Sequence, residues 1–252
     1  MIRVIMHGCN GKMGQTISEI VKNKPDMEMA AGIDKFDDGH NPYPVFASLE
    51  ECTEKADCII DFSAAPAVDG LLDYCEAHKM PVVLCTTGLS EEQLARVKKV
   101  SESIAVLKSA NMSLGVNLLI RMLKDAAKVL SPAGFDIEIV EKHHNLKLDA
   151  PSGTALALAD SINEEFGNSF EYVYDRSDRR QKRDAKEIGI SAVRGGTIVG
   201  DHDVIFAGQD EVVTFSHRAY SKAVFARGAV SAAAFLAGKG PGLYDMQDVI
   251  QF

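Results

Sequence analysis

The chain has 252 residues, 46% of them hydrophobic and 25% charged, a composition suited to one large or two small globular domains. Its formal net charge of −9 disfavours a partner with a phosphate backbone, so no nucleic acid is expected, and an acidic small ligand needs a local basic cluster. No apolar run reaches about 18 residues, so no membrane span is expected.

The opening MIRVIMHGCNGKMG lacks the parts of a secretion leader and reads directly as strand and turn, which predicts a cytoplasmic protein. Residues 2–6 are an apolar run broken only by Arg3, the pattern of a strand buried on both faces. Gly8, Gly11 and Gly14 punctuate the turn, and an amphipathic stretch continues to about Val21. Strand, glycine-rich turn and helix in that order are the context of a dinucleotide fingerprint, here spaced GxxGxxG rather than GxGxxG. Gly8 suits the tight turn, Gly11 a close approach to a pyrophosphate, and Gly14 close packing of helix on strand. Residues 27–33 form the next strand and end at Asp34, twenty residues past Gly14. A carboxylate there can accept from the ribose hydroxyls of NAD, while Lys35 beside it can pair with the 2′-phosphate of NADP.

Further strands are expected at 58–62, 82–85 and 104–108, alternating with helices at 66–78 and, capped by Ser90, up to about Ser101. Such alternation predicts a parallel sheet with helices on both faces, its ligand beyond the carboxyl ends of the strands. The turns at 8–13, 62–63, 85–88 and 109–112 should therefore line one crevice. From Leu114 the character changes: a long helix at 115–130, a strand at 135–141, and a helix at 153–166. The mixed charge run 175–187 reads as a solvated loop. Strands at 188–194 and 197–206 flank Gly195-Gly196, and 211–217 adds another, giving a mostly antiparallel sheet whose open face suits subunit contacts. An alanine-rich helix at 223–237 is apolar enough to return to the first domain.

Residues 141–155, EKHHNLKLDAPSGTA, set His143, His144 and Lys147 immediately before a helix start. Helix N-termini carry unpaired N–H groups and a positive dipole end, so this stretch predicts a pocket for a small acidic molecule with proton-moving groups beside it. Ser152 is the expected helix cap and Asp149 a turn residue. His7, His40, His78 and His202 read as structural or exposed. Five cysteines without a CxxC pair predict free thiols, with neither a disulfide framework nor a metal site.

Taken with Thr86-Thr87-Gly88 and Ser109-Ala110-Asn111, these motifs make the chain resemble the 4-hydroxy-tetrahydrodipicolinate reductases, the dihydrodipicolinate reductases of bacterial lysine and diaminopimelate synthesis. The likeness runs through Arg194-Gly195-Gly196 and His217-Arg218 to the closing helix. It implies an α/β protein: a Rossmann-like parallel-sheet domain at 1–113, completed by 223–252, and an α+β substrate-binding and tetramerisation domain at 114–222. It implies His143 as proton donor or acceptor, Lys147 as a second proton donor, and His144 with the Gly153-Thr154 backbone as holders of a small cyclic dicarboxylate. Contacts to NADH or NADPH would fall on Gly8, Cys9, Asn10, Gly11, Lys12, Met13, Asp34, Lys35, Cys85, Thr86, Thr87, Ser109, Ala110, Asn111 and Met112. A homotetramer is implied too. Cys85 and Met112 depart from the glycine and aromatic residue usual there. Two other readings compete: a semialdehyde or aspartate dehydrogenase, the first of which needs a cysteine in the second domain, and a redox-sensing dinucleotide module, which needs no proton donors.

Overall fold

The structure is a computed structural model that describes residues 1–37, 39–177 and 179–250; Asp38, Asp178 of the charge run and residues 251–252 of the closing segment lie outside the described residues. In chain order the elements are β1 (Ile2–His7), α1 (Lys12–Lys22), β2 (Met27–Ile33), β3 (Val45–Phe46), β4 (Cys58–Asp61), α2 (Val68–His78), β5 (Val82–Leu84), α3 (Glu91–Val100) and β6 (Ala105–Leu107). There follow α4 (Leu114–Leu130), β7 (Asp136–His143), α5 (Gly153–Glu164), β8 (Glu171–Val173), β9 (Glu187–Arg194), β10 (Gly200–Ala207) and β11 (Val212–Ala219). The chain closes with α6 (Ala223–Leu236), β12 (Gly242–Tyr244) and α7 (Met246–Val249). Two compact units result, Met1–Ser113 with the segment from Ala223 onward, and Leu114–Lys222.

The first unit is built on a parallel sheet in the order β12-β6-β5-β4-β1-β2-β3. Alternate residues go to opposite faces, and both faces are covered. Val4, Met6, Ile60 and Leu107 pack with Ile17 and Val21 of α1 and the alanines of α6. Ile5, Ile59, Val82 and Val106 pack with Leu71 and Leu72 of α2 and Val97 of α3. Burial on both sides explains why these strands read as continuous apolar runs. β1 has β2 on one side and β4 on the other, so the strand order reverses at its carboxyl end, the usual ligand position in such sheets.

The second unit packs α4 and α5 on one face of a sheet ordered β11-β10-β7-β9-β8. Ile137, Ile139, Ile188, Val204 and Phe206 point into this core, whereas Glu138, Val140, Lys142, Asp203 and Ile205 alternate onto a face without helices. β10 runs antiparallel to β7 and β11, and these two ladders join more residues than the parallel pairings of β9 with β7 and β8. The strands either side of Gly195-Gly196 are present, but they do not pair with each other. β7 lies between them, so the connection from β9 to β10 crosses the end of β7, about 10 Å at ordinary strand spacing. That crossing is stitched down by Gly195 N–H on the His143 carbonyl (2.9 Å) and Asn145 N–H on the Gly196 carbonyl (3.2 Å).

The described residues of the charge run form an irregular, largely exposed loop up to 186, with Glu187 opening β9, yet the run is less solvated than its composition suggests. Arg176 and Arg183 both reach Glu138 (2.7 and 2.9 Å), Arg183 also reaches Asp136 (2.8 Å), and Arg179 holds both oxygens of buried Glu187 at 2.8 Å. The sequence shows interleaved charges but not the row of carboxylates that β7 presents to them.

Candidate active site

At the end of β1 the site is made of backbone. Gly8 has φ +85°, and a Cβ there would lie 2.7 Å from the Phe62 carbonyl oxygen. A Cβ on Gly14 would lie 2.3 Å from the carbonyl oxygen of Gly8 and 2.6 Å from that of Cys9, so this glycine seats α1 against the turn. Gly11 is the N-cap of α1 and supplies no side-chain cap, which leaves the helix start to offer its N–H groups outward. A cavity of about 520 Å³ opens here, lined by His7, Gly8, Gly11, Asp34 and Lys35 on one side and by residues 62–64 with Pro66 and Ala67 on the other. Asp34 Oδ2 accepts the Asn10 N–H at 3.0 Å, which brings the acidic end of β2 onto the glycine turn. The Asn10 side chain is held by Asn41 (2.7 Å) and by the Phe36 carbonyl.

The turns 85–88 and 109–112 leave the same sheet edge, and the Thr86 hydroxyl lies 3.5 Å from that of Ser63 in the cavity wall. Cys9 and Met112 bury their side chains in the core, and buried Thr86 gives its hydroxyl to Asp61 Oδ2 at 2.6 Å; all three can offer a ligand little beyond backbone. Lys12, Thr87 and Ala110 are exposed, while Met13, Cys85, Ser109 and Asn111 are half-buried. Asp61 itself escaped the sequence reading. Its carboxylate has no solvent exposure, lies 2.9 Å from His7 Nδ1 and accepts the Ser63 N–H at 3.2 Å. Burial pushes its pKa up, but His7, Ser63 and Thr86 together hold it below the ordinary carboxylate value.

At the end of β7 the site is made of side chains. The two-residue alternation of the strand puts Glu141 and His143 on its buried face. Glu141 Oε2 lies 2.7 Å from His143 Nδ1 and accepts from Arg194 Nη1 (2.8 Å); Oε1 accepts from Arg194 Nη2 (2.7 Å) and the Ser152 N–H (3.0 Å). Burial raises the Glu141 pKa, and the donors, Arg194 foremost, carry it below the ordinary value. A Cβ on Gly200 would stand 3.0 Å from His143 Nε2, so this position of β10 leaves room for the ring. Ser152 caps α5 as expected, accepting the Ala155 N–H at 3.2 Å, and its hydroxyl also lies 3.0 Å from His202 Nε2.

His202, read as structural, is buried within this cluster, its ring edge-on to His143 at 5.2 Å and 75°. Burial, reinforced by the nearby His143, brings its pKa down to about 4, so it is neutral at pH 7. Lys147 Nζ pairs with Asp149 at 2.8 Å, which pulls the Asp149 pKa down, and Arg194 Nη2 donates to the Asp149 carbonyl at 2.6 Å. His144 and Thr154 are half-buried, and a Cβ on Gly153 would meet nothing within 4 Å. His143, His144, Lys147 and the start of α5 therefore share one short stretch, as their spacing predicts. Glu141, Arg194 and His202 complete the cluster from β7, β9 and β10. Such a cluster can bind a small anion and exchange a proton with it.

Residues 2–112 match the model of the dihydrodipicolinate reductase N-terminus and residues 115–250 that of its C-terminus. The 4-hydroxy-tetrahydrodipicolinate reductase of Caldanaerobacter subterraneus subsp. tengcongensis is 54% identical over 100% of this chain and 99% of its own, and that of Clostridium tetani 48% over 98% and 96%. Among solved structures, the dipicolinate-bound dihydrodipicolinate reductase of Paenisporosarcina sp. TG-14 superposes with a TM-score of 0.83 at 27% identity, covering 100% of both chains. With both halves matched and whole-length relatives near half identical, the chain belongs to the dihydrodipicolinate (4-hydroxy-tetrahydrodipicolinate) reductase family.

Proposed function

We propose that this chain reduces 4-hydroxy-tetrahydrodipicolinate, by way of dihydrodipicolinate, to tetrahydrodipicolinate with NADH or NADPH, a step of diaminopimelate and lysine biosynthesis. The observation that carries the reading is the cluster of His143, His144 and Lys147 at the start of α5, supported from behind by Glu141 and Arg194. A relative that binds dipicolinate, a planar cyclic dicarboxylate, supports the substrate class.

The residues at the end of β1 fit a dinucleotide: a glycine turn that side chains would fill, an uncapped helix start, and Asp34 beside Lys35. Gly8 to Met13 would hold the pyrophosphate, Asp34 and Lys35 the adenosine ribose, and Cys85, Thr86, Thr87 and residues 109–112 the remainder, Cys9, Thr86 and Met112 through backbone. The bound nicotinamide supplies a hydride. Loss of water leaves the substrate ring a conjugated imine, and reduction places electron density on it that a proton must neutralise. His143 is the group that delivers this proton, and Lys147 neutralises a carboxylate and assists. His144 and the N–H groups of Gly153 and Thr154 hold the substrate carboxylates at the positive end of α5. Asp34 favours NADH and Lys35 NADPH, so both are used.

In this reading the unit 114–222 binds substrate and, through the helix-free face of its sheet, assembles a homotetramer; light scattering on the purified chain tests that part. The absence, among the described residues, of any helix long and apolar enough to cross a membrane accords with a cytoplasmic place. The deciding experiment is turnover with synthase-generated substrate and each nucleotide, followed at 340 nm. Consumption of both nucleotides only when substrate is present is expected, and no consumption of either overturns the reading.

A further inference from the structure

We infer that Glu141 is a positioning residue for His143, fixing the neutral imidazole as the Nδ1–H tautomer so that Nε2 is the nitrogen that faces substrate. The inference rests on the reading of His143 as the proton-transfer group.

Four hydrogen bonds converge on the Glu141 carboxylate, two on each oxygen. Three of the donors, the two Arg194 guanidinium nitrogens and the Ser152 amide, have no acceptor capacity, so their direction is set. The fourth, His143 Nδ1, can be donor or acceptor, and an ionised carboxylate offers it nothing to accept. Arg194 keeps Glu141 ionised in a place with no solvent exposure, so water does not take over the contact. A proton on Nδ1 is therefore required, and the second nitrogen is left with its lone pair on the side where Gly200 clears space for it.

The rest of the cluster supports the same assignment. The Ser152 hydroxyl, which accepts the Ala155 N–H, engages His202 Nε2 at 3.0 Å and holds that ring apart from the Glu141 carboxylate. His202 then stands uncharged at the edge of His143 and does not compete for Glu141. A purely structural Glu141, serving only to anchor Arg194 and the loop at Asp149, would place no demand on the imidazole. The two roles separate in the tautomer.

The Glu141→Gln variant gives a sharp prediction. An amide group at the Oε1 position would oppose two fixed donors, Arg194 Nη2 and the Ser152 N–H. At the Oε2 position it opposes one, Arg194 Nη1, and can donate to His143 Nδ1. The amide turns its NH2 toward the imidazole, which inverts to Nε2–H. A wrongly protonated imidazole loses catalysis while geometry persists, as in carboxylate-to-amide changes beside other catalytic histidines.

The experiment is ¹⁵N–¹H long-range correlation on the full-length protein with labelled histidine, at a pH where His143 is neutral, together with steady-state kinetics. The wild type is expected as Nδ1–H and Glu141→Gln as Nε2–H, with kcat lower by roughly 10²-fold or more and KM for the dicarboxylate changed only a few-fold. Glu141→Asp keeps the charge, so it should keep Nδ1–H and retain more kcat than the amide variant. A wild-type His143 found as Nε2–H, or a Glu141→Gln protein with wild-type tautomer and kcat, overturns the inference. If Glu141→Gln fails to fold, the wild-type and Glu141→Asp tautomers decide. A wild type that turns over neither nucleotide, with His143 still Nδ1–H, would count against the proposed reaction and leave the positioning role standing.

Discussion

The end of β1 and the end of β7 are both points where a strand stops before a helix, and they are built from different materials. Around Gly8 the parts are backbone: a positive φ, carbonyl oxygens 2.3 to 2.7 Å from where a Cβ would sit, and an uncapped helix start. Around His143 the parts are charges and rings: a buried carboxylate with four donors, an arginine from β9 and a second histidine from β10. The first kind of site accepts a cysteine or methionine whose side chain points into the core. The second kind depends on the identity of every partner and responds to pH.

Four experiments would break or sharpen that contrast. Lys147→Ala should lower kcat by roughly 10²-fold or more, the ordinary range for loss of a general acid. Native circular dichroism with unchanged kcat would remove Lys147 from the chemistry.

Acid should then weaken the second site more than the first. His202 has a folded pKa of about 4 against an ordinary 6.5, so the unfolded chain binds the extra proton between those values. Stability is complete above pH 6.5 and falls as pH drops toward 4, by on the order of 3 kcal/mol for this group. The lowered pKa of His217 acts in the same direction. Glu141 and Asp61, lowered as well, add their loss below pH 4.5 and 3.8. Urea unfolding of His202→Gln should show a flatter limb between pH 6.5 and 4; an unchanged limb would mean that His202 is not held neutral.

The glycines make a pair. Gly8→Ala should cost about 1–3 kcal/mol, because the added carbon strikes the Phe62 carbonyl and the φ is left-handed. Gly11→Ala, whose Cβ would meet only the Gly8 carbonyl at 3.3 Å, should cost less than about 1 kcal/mol yet weaken nucleotide binding. Equal stability losses with unchanged nucleotide affinity would contradict a backbone-built cradle. Last, Ser152→Ala removes the cap of α5 and should cost about 1 kcal/mol in urea unfolding. A neutral result would mean that another group has taken over the Ala155 N–H.

Much of this was legible in residue order wherever the physics is local. Apolar runs bounded by turn residues gave away the parallel sheet, because strands buried on both faces have no polar side to show. Gly8, Gly11, Gly14 and Asp34 lie within one strand-turn-helix-strand unit, and His143, His144, Lys147 and Ser152 within a single loop and helix start. Nearness in the chain there is nearness in space. The helix cap at Ser152 needed only its own first turn. The loop 175–187 could be seen as charged but not as clamped, since its partners Asp136 and Glu138 sit on a strand far back in the chain.

What only the tertiary structure decided is which distant groups meet. Glu141 and Arg194 are 53 residues apart, and Ser152 and His202 are 50 apart. They come together because β7 inserts between β9 and β10, an arrangement that no run of neighbouring residues encodes. The local sequence specified the groups that face the ligand, since a strand end and a helix start can present them alone. The charges that hold those groups in place were left to sheet order, because pairing between strands is a contest among all segments of the chain and is settled only when the core closes.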